Sequence, residues 1–145
     1  MRRGAHGQAL SHHLKKGRTS PAVERLIECN ILLSGVGFES GGLALAHAIA
    51  NGLTILPECK AMHGEAVAFG LVVQLRLERA PELDQVLEFC QRVGLPTTLA
   101  ELGLGEISDT DLMSVADAVF RNERNMANEQ AKVTRQKLVQ LMCEA

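Results

Sequence analysis

Two histidines mark where chemistry could begin. His47 is the one ionisable side chain in the apolar run from Leu43 to Ala50, and His63 opens a second apolar run sixteen residues later, as His63-Gly64-Glu65. Neutral imidazole is a common ligand for zinc and related cations. Two imidazoles at the edges of consecutive buried helices are candidates for a shared divalent metal. The spacing does not enforce that outcome. A short HxxxH chelate works through local helix geometry, whereas these two rings meet only if the loop between them folds them together. The plain alternative is a buried histidine satisfied by hydrogen bonds and a helix-start histidine facing water. Spacing alone favours that alternative.

The element that must position His47 is easier to read. Leu43, Ala44, Leu45, Ala46, Ala48, Ile49 and Ala50 leave no polar face, so a helix here should be buried on nearly every side. Its small residues allow close approach by neighbouring helices, and Gly52 stands where a C-cap is expected. A glycine-dense turn, Gly35 to Gly42, precedes it. Glu39 and Ser40 are expected to cap its N-terminus, where a carboxylate and a hydroxyl suit free N–H groups and the positive dipole end. Asn51 lies four residues after His47 and shares its face. It could orient the imidazole or cap the helix end.

The other elements follow from 3.6-residue periodicity and from breakers. Thr19-Ser20-Pro21 starts a helix predicted from Ala22 to about Ser34, with Val23, Leu26, Ile27, Asn30, Ile31 and Leu33 on an inward face. Gly35 and Gly37 are expected to end it and to present Phe38 on a turn. After a loop broken by Pro57, a mostly buried helix is predicted from His63 to about Arg79, with Glu65 suiting its first turn. Glu82 to Val93 reads as a surface amphipathic helix stopped by Gly94-Leu95-Pro96. Thr97 to Leu102 reads as a short helical turn, Leu112 to Arg121 and Ala131 to Cys143 as helices, and Asn122 to Glu129 as irregular. Residues 1–19 form a basic segment with a short helix from about Gln8 to Lys16. His6, His12 and His13 in it could bind metal, but a solvated segment is the preferred reading. Residues 20–145 read as a single domain.

Composition narrows the classes. A chain of 145 residues can bury one proper core. It has no Trp or Tyr and only four Phe, so that core is Leu, Val, Ile, Ala and Met, which suits packed helices rather than a sheet. The fold expected is all-α. A net charge of −2 argues against a general nucleic-acid or membrane surface, although the first twenty residues carry five cations and no acid. Cys29, Cys59, Cys90 and Cys143 are scattered without a CxxC pair, as in a reducing compartment. With no span-length apolar run and no secretory signal, the cytoplasm is the expected location. No Gly-rich loop follows an apolar strand, so no dinucleotide fingerprint is present.

Several motifs together are recognisable. Ser20-Pro21-Ala22-Val23-Glu24-Arg25, Gly35-Val36-Gly37-Phe38-Glu39-Ser40-Gly41-Gly42, Ala46-His47-Ala48-Ile49, Asn51-Gly52-Leu53-Thr54, His63-Gly64-Glu65 and Val93-Gly94-Leu95-Pro96 closely resemble the glycerol dehydrogenase branch of the iron-containing, or metal-dependent, alcohol dehydrogenases. The resemblance covers about residues 20–145. It implies the helical C-terminal, metal-binding domain of a two-domain enzyme. It makes His47 and His63 metal ligands, usually of zinc, and Phe38 an aromatic lining the substrate pocket. It implies NAD-dependent oxidation of glycerol to dihydroxyacetone, with the metal polarising the hydroxyl and hydride passing to the nicotinamide. No catalytic residue beyond the metal ligands, and no cofactor-binding residue, is carried over.

The departures are as informative. The family's NAD-binding α/β domain and its Asp metal ligand have no counterpart here. Ala50 stands where the family pattern has a second His, and Arg124-Asn125-Met126-Ala127 replaces a His-Asn-Met-Pro pattern. The expectation is a truncated or split relative, inactive alone, with glycerol or a similar polyol as ligand. It would be a homo-oligomer, with NAD only if a separate chain supplies that domain, and with no nucleic-acid or membrane partner. The alternative is a catalytically dead helical module that self-associates.

Overall fold

The computed structural model describes residues 20–145, the side chains of residues 38–41 excepted. Those residues form seven α-helices and no strand: α1 Pro21–Gly41, α2 Leu45–Leu53, α3 His63–Glu78, α4 Leu83–Val93, α5 Asp109–Arg121, α6 Glu123–Met126 and α7 Arg135–Glu144. The all-α expectation holds. None of these helices is long and apolar enough to cross a membrane. Contacts divide the chain into two units, one ending at Gly42 and the other running from Leu43 to Ala145. The segment of residues 1–19, with His6, His12 and His13, lies outside the described residues.

In the first unit, Ser20 caps α1 as expected: its Oγ accepts the Val23 N–H at 3.4 Å, and Pro21 takes the first helical position. The predicted end at Ser34 is wrong. α1 continues through Gly35 and Gly37 to Gly41. Glycine inside a helix costs only about 1 kcal/mol against alanine, and α1 carries both glycines in its interior. The chain turns instead at Gly42, whose φ of 67° is the left-handed conformation that glycine adopts freely. Phe38 is therefore within a helix rather than on a turn, and its side chain lies outside the described residues. The broad inward face is also corrected. Only Val23 is buried, while Leu26, Ile27, Ile31, Leu32 and Leu33 are exposed, because no other described element of that unit is present to cover them. Asn30 is exposed as well and needs no buried partner.

The second unit is built around α2. Leu45, Ala48, Ile49, Ala50 and Leu53 join Phe69 and Val73 of α3, Leu112, Val115, Ala116 and Val119 of α5, and Leu138, Leu141 and Met142 of α7 in one core. Helix α2 packs on α3, α5 and α6. Two glycines set the crossings. A Cβ on Gly70 would lie 2.3 Å from the Ala46 carbonyl oxygen, so α3 meets α2 backbone to backbone. A Cβ on Gly52 would lie 2.9 Å from Val119 Cγ2 and 3.1 Å from the Val115 carbonyl oxygen. Gly52 is thus a packing residue inside α2, not its C-cap. Thr54 follows the helix end, with its N–H and hydroxyl both donating to the Asn51 carbonyl.

Remaining elements fall near their predicted places. α4 ends at Gly94, φ 75°, and α5 starts at Ser108, whose Oγ accepts the Asp111 N–H. The last helix starts later than expected, at Arg135, because Thr134 provides the cap: its Oγ accepts the Lys137 N–H at 3.2 Å. The irregular stretch before it contains the short α6.

Candidate metal centre

His47 lies on α2, three residues into the helix, and His63 is the first residue of α3. The close crossing at Gly70 and Ala46 brings these two helices together one residue before His47. The result is a pair of rings with centroids 5.8 Å apart and planes tilted by 54°. His47 is half-buried and His63 exposed, so the pair sits at the edge of the core and opens to solvent. His47 and Asn51 occupy the one stripe of α2 that the core does not cover. Asn51 is exposed and makes no side-chain hydrogen bond to the imidazole, so its ring-orienting role is not realised here.

Electrostatics point the same way as geometry. Burial lowers the His47 pKa below its usual 6.5, and a proton on His63 would lower it further. The ring is held neutral near physiological pH, the form in which a nitrogen can donate a lone pair to a cation. Glu65 does not face this pair as a base. Its carboxylate turns back and accepts the Met62 N–H at 2.7 Å, closing the first turn of α3.

Zinc bonds imidazole nitrogen at about 2.0–2.1 Å, which places each ring centre roughly 3 Å from the ion. Two centres 5.8 Å apart are therefore within the span of one cation. The donor chemistry also fits: two nitrogens, one of them held neutral. The set is partial. Among the described residues no group of three or more His, Cys, Asp and Glu side chains converges to hold a metal, whereas catalytic zinc normally has three protein ligands. The four cysteines are free and contribute nothing to the pair.

What fixes the start of α2 was not read from the sequence. The expected caps, Glu39 and Ser40, belong to α1. The N-cap position is Ala44, whose side chain cannot accept a hydrogen bond. Gln74 of α3 does the work from a distance: its Oε1 accepts the Ala46 N–H at 3.0 Å, and its amide donates to Glu78 Oε1 at 2.8 Å. Asn128 Nδ2 donates to the Leu43 carbonyl at 2.8 Å. The signal available was a lone glutamine among Phe69, Val72, Val73 and Leu75, a polar group on an apolar helix that must find a partner.

Known proteins resemble this chain along most of its length. A glycerol dehydrogenase of Thermotoga maritima is 47% identical over 132 residues, covering 89% of this chain and 36% of the relative. The chain belongs to the glycerol dehydrogenase family. A Citrobacter freundii glycerol dehydrogenase is likewise 47% identical, over 133 residues, covering 90% of the chain and 36% of the relative. Among solved structures, a probable glycerol dehydrogenase from Sinorhizobium meliloti superposes with a TM-score of 0.82 at 38% identity, covering 90% of this chain and 38% of that one. No protein-family model matches the sequence. The chain spans about 36% of the length of these curated glycerol dehydrogenases, a match consistent with a C-terminal fragment.

Proposed function

We propose that this chain is the metal- and substrate-binding half of an NAD-dependent dehydrogenase for glycerol or a similar small polyol, interconverting glycerol and dihydroxyacetone. The observation that carries the reading is the juxtaposition of His47 and His63, 5.8 Å apart, in a chain of the glycerol dehydrogenase family. In this reading residues 20–145 act as one dehydrogenase-like domain in a cytoplasmic homo-oligomer, and the two imidazoles hold zinc or another divalent ion such as iron. Such an ion supplies Lewis acidity to an alcohol oxygen. The chain's own part is to keep His47 neutral, to keep the rings together through the Gly70–Ala46 crossing, and to anchor the α2 start through Gln74 and Asn128. Phe38 is assigned to the substrate by its motif.

The residues present do not fit NAD. No Gly-rich phosphate loop follows an apolar strand within residues 1–145, so we assign the nicotinamide site outside these residues, and residues 1–145 are expected to be inactive alone. The test is NADH formation from glycerol, NAD and zinc. The chain alone should show none, and an added NAD-binding chain should restore activity that depends on His47 and His63. Robust turnover by the chain alone would overturn the inactivity clause.

A second reading is a self-associating helical module with vestigial histidines. The exposed Ile31, Leu32, Leu33 and Val36 of α1 favour it, since contiguous apolar surface drives association. Sedimentation of the chain and of an Ile31→Lys/Leu33→Lys variant separates the two. Association abolished by the variant, with no zinc bound by either, supports the module.

A further inference from the structure

The opposite end of α3 carries a different kind of group. Arg76 lies thirteen residues after His63, roughly 20 Å along the helix axis. There an open cavity of about 640 Å³ is lined by four cations, Arg76, Arg79, Lys132 and Lys137, and by one carboxylate, Glu144. The chain as a whole has a net charge of −2, so this concentration runs against its average. Among the described residues the ion pairs are Arg92 with Glu88 and Arg135 with Asp117, and none of the four cations belongs to either. Glu144 is engaged by the Gln140 amide at 2.5 Å.

Two further observations concern these cations. Arg76 Nε is buried and has no hydrogen-bond partner, a donor left unmade beside the cavity. Arg79 is the one non-glycine residue at positive φ among the described residues, 52°, at a helix end where glycine is the usual occupant. An arginine kept there sets its guanidinium at the cavity at the expense of backbone strain. The N-terminus of α7 adds its partial positive charge between Lys132 and Lys137.

We infer that this cavity binds the phosphoryl group of a small phosphate ester. Guanidinium and ammonium groups that line one cavity and belong to no ion pair, Lys137 donating only to the neutral Gln140 Oε1 at 3.2 Å, match a dianionic phosphate. Leu83 and Leu141 in the same wall offer apolar surface to a carbon skeleton, and the volume lies in the range of small-molecule sites. The inference does not depend on the histidine pair.

The experiment is calorimetric titration of the 145-residue chain with inorganic phosphate, with glycerol phosphate and with sulfate, repeated on Arg79→Gly and Lys137→Gln. Arg79→Gly removes a cation while relieving the left-handed strain, so its melting temperature should hold or rise. Phosphate-ester binding should weaken about tenfold in each variant, the worth of one charged hydrogen bond. Tighter binding of the ester than of inorganic phosphate supports the ester. Equal binding of the two supports the phosphoryl site with free phosphate as its occupant. Saturable binding by none of the probes, sulfate binding as tightly as either phosphate, or affinities unchanged in both variants would overturn the inference.

Discussion

Gly35 and Gly37 lie inside α1, and Gly70 lies inside α3, yet the three face opposite surroundings. A Cβ added at Gly35 or Gly37 would meet nothing within 4 Å. One added at Gly70 would strike the Ala46 backbone. In the first helix glycine is a small loss of helix propensity that the chain tolerates. In the third it is the reason two helices can touch, and that contact holds His47 beside His63. A glycine in sequence reads the same in both cases. Only the neighbouring backbone decides whether it loosens an element or joins two.

Breaking the contact should have the largest effect. Gly70→Ala drives a methyl group into the Ala46 carbonyl, and we expect destabilisation of about 3 kcal/mol, measured by urea unfolding, at the upper end of overpacking effects. The same variant should separate the rings and weaken zinc binding. A change near zero would mean that α2 and α3 are not held at this crossing. Next in size is Gln74→Leu, which leaves the buried Ala46 N–H without an acceptor. We expect a loss of about 1–2 kcal/mol, read from the same urea unfolding.

A smaller effect belongs to His47 itself. Its pKa is lowered in the folded chain relative to 6.5, chiefly by burial. Between 6.5 and that lowered value the unfolded chain takes up a proton that the folded chain refuses. Stability is therefore fully present above 6.5 and falls as pH drops through this window, then levels below the folded pKa. The unfolding midpoint of the native chain should fall relative to that of His47→Gln as pH drops through this window, with a constant difference on either side of it. The smallest effect is opposite in sign and belongs to the open glycines of α1. Gly35→Ala or Gly37→Ala should stabilise α1 by about 0.5–1 kcal/mol, seen as increased helicity in circular dichroism.

The core was largely legible because it rests on composition. An alanine- and leucine-rich run with one histidine reads as a buried helix whatever surrounds it, and the apolar steps of α5 at Leu112, Val115, Ala116 and Val119 name its inner face directly. The partnership of His47 with His63 was legible from motifs, not from a spacing of sixteen. The start of α2 was not legible. Glu39 and Ser40 carry good capping chemistry at the wrong place, and the true acceptor, Gln74, comes from 28 residues along the chain. Such a bond is written in tertiary contacts, which a local rule does not see. The end of α1 failed similarly: two glycines weaken a helix, but a left-handed φ at Gly42 is what turns the chain.

The central claim is that the two imidazoles grip one cation. Zinc titration by calorimetry, on the native chain and on His47→Ala and His63→Ala, addresses it most directly. One zinc per chain is expected in the native protein, with that binding lost in either variant and folding retained by circular dichroism. Zinc binding that survives both substitutions, or no binding by the folded native chain, would contradict it.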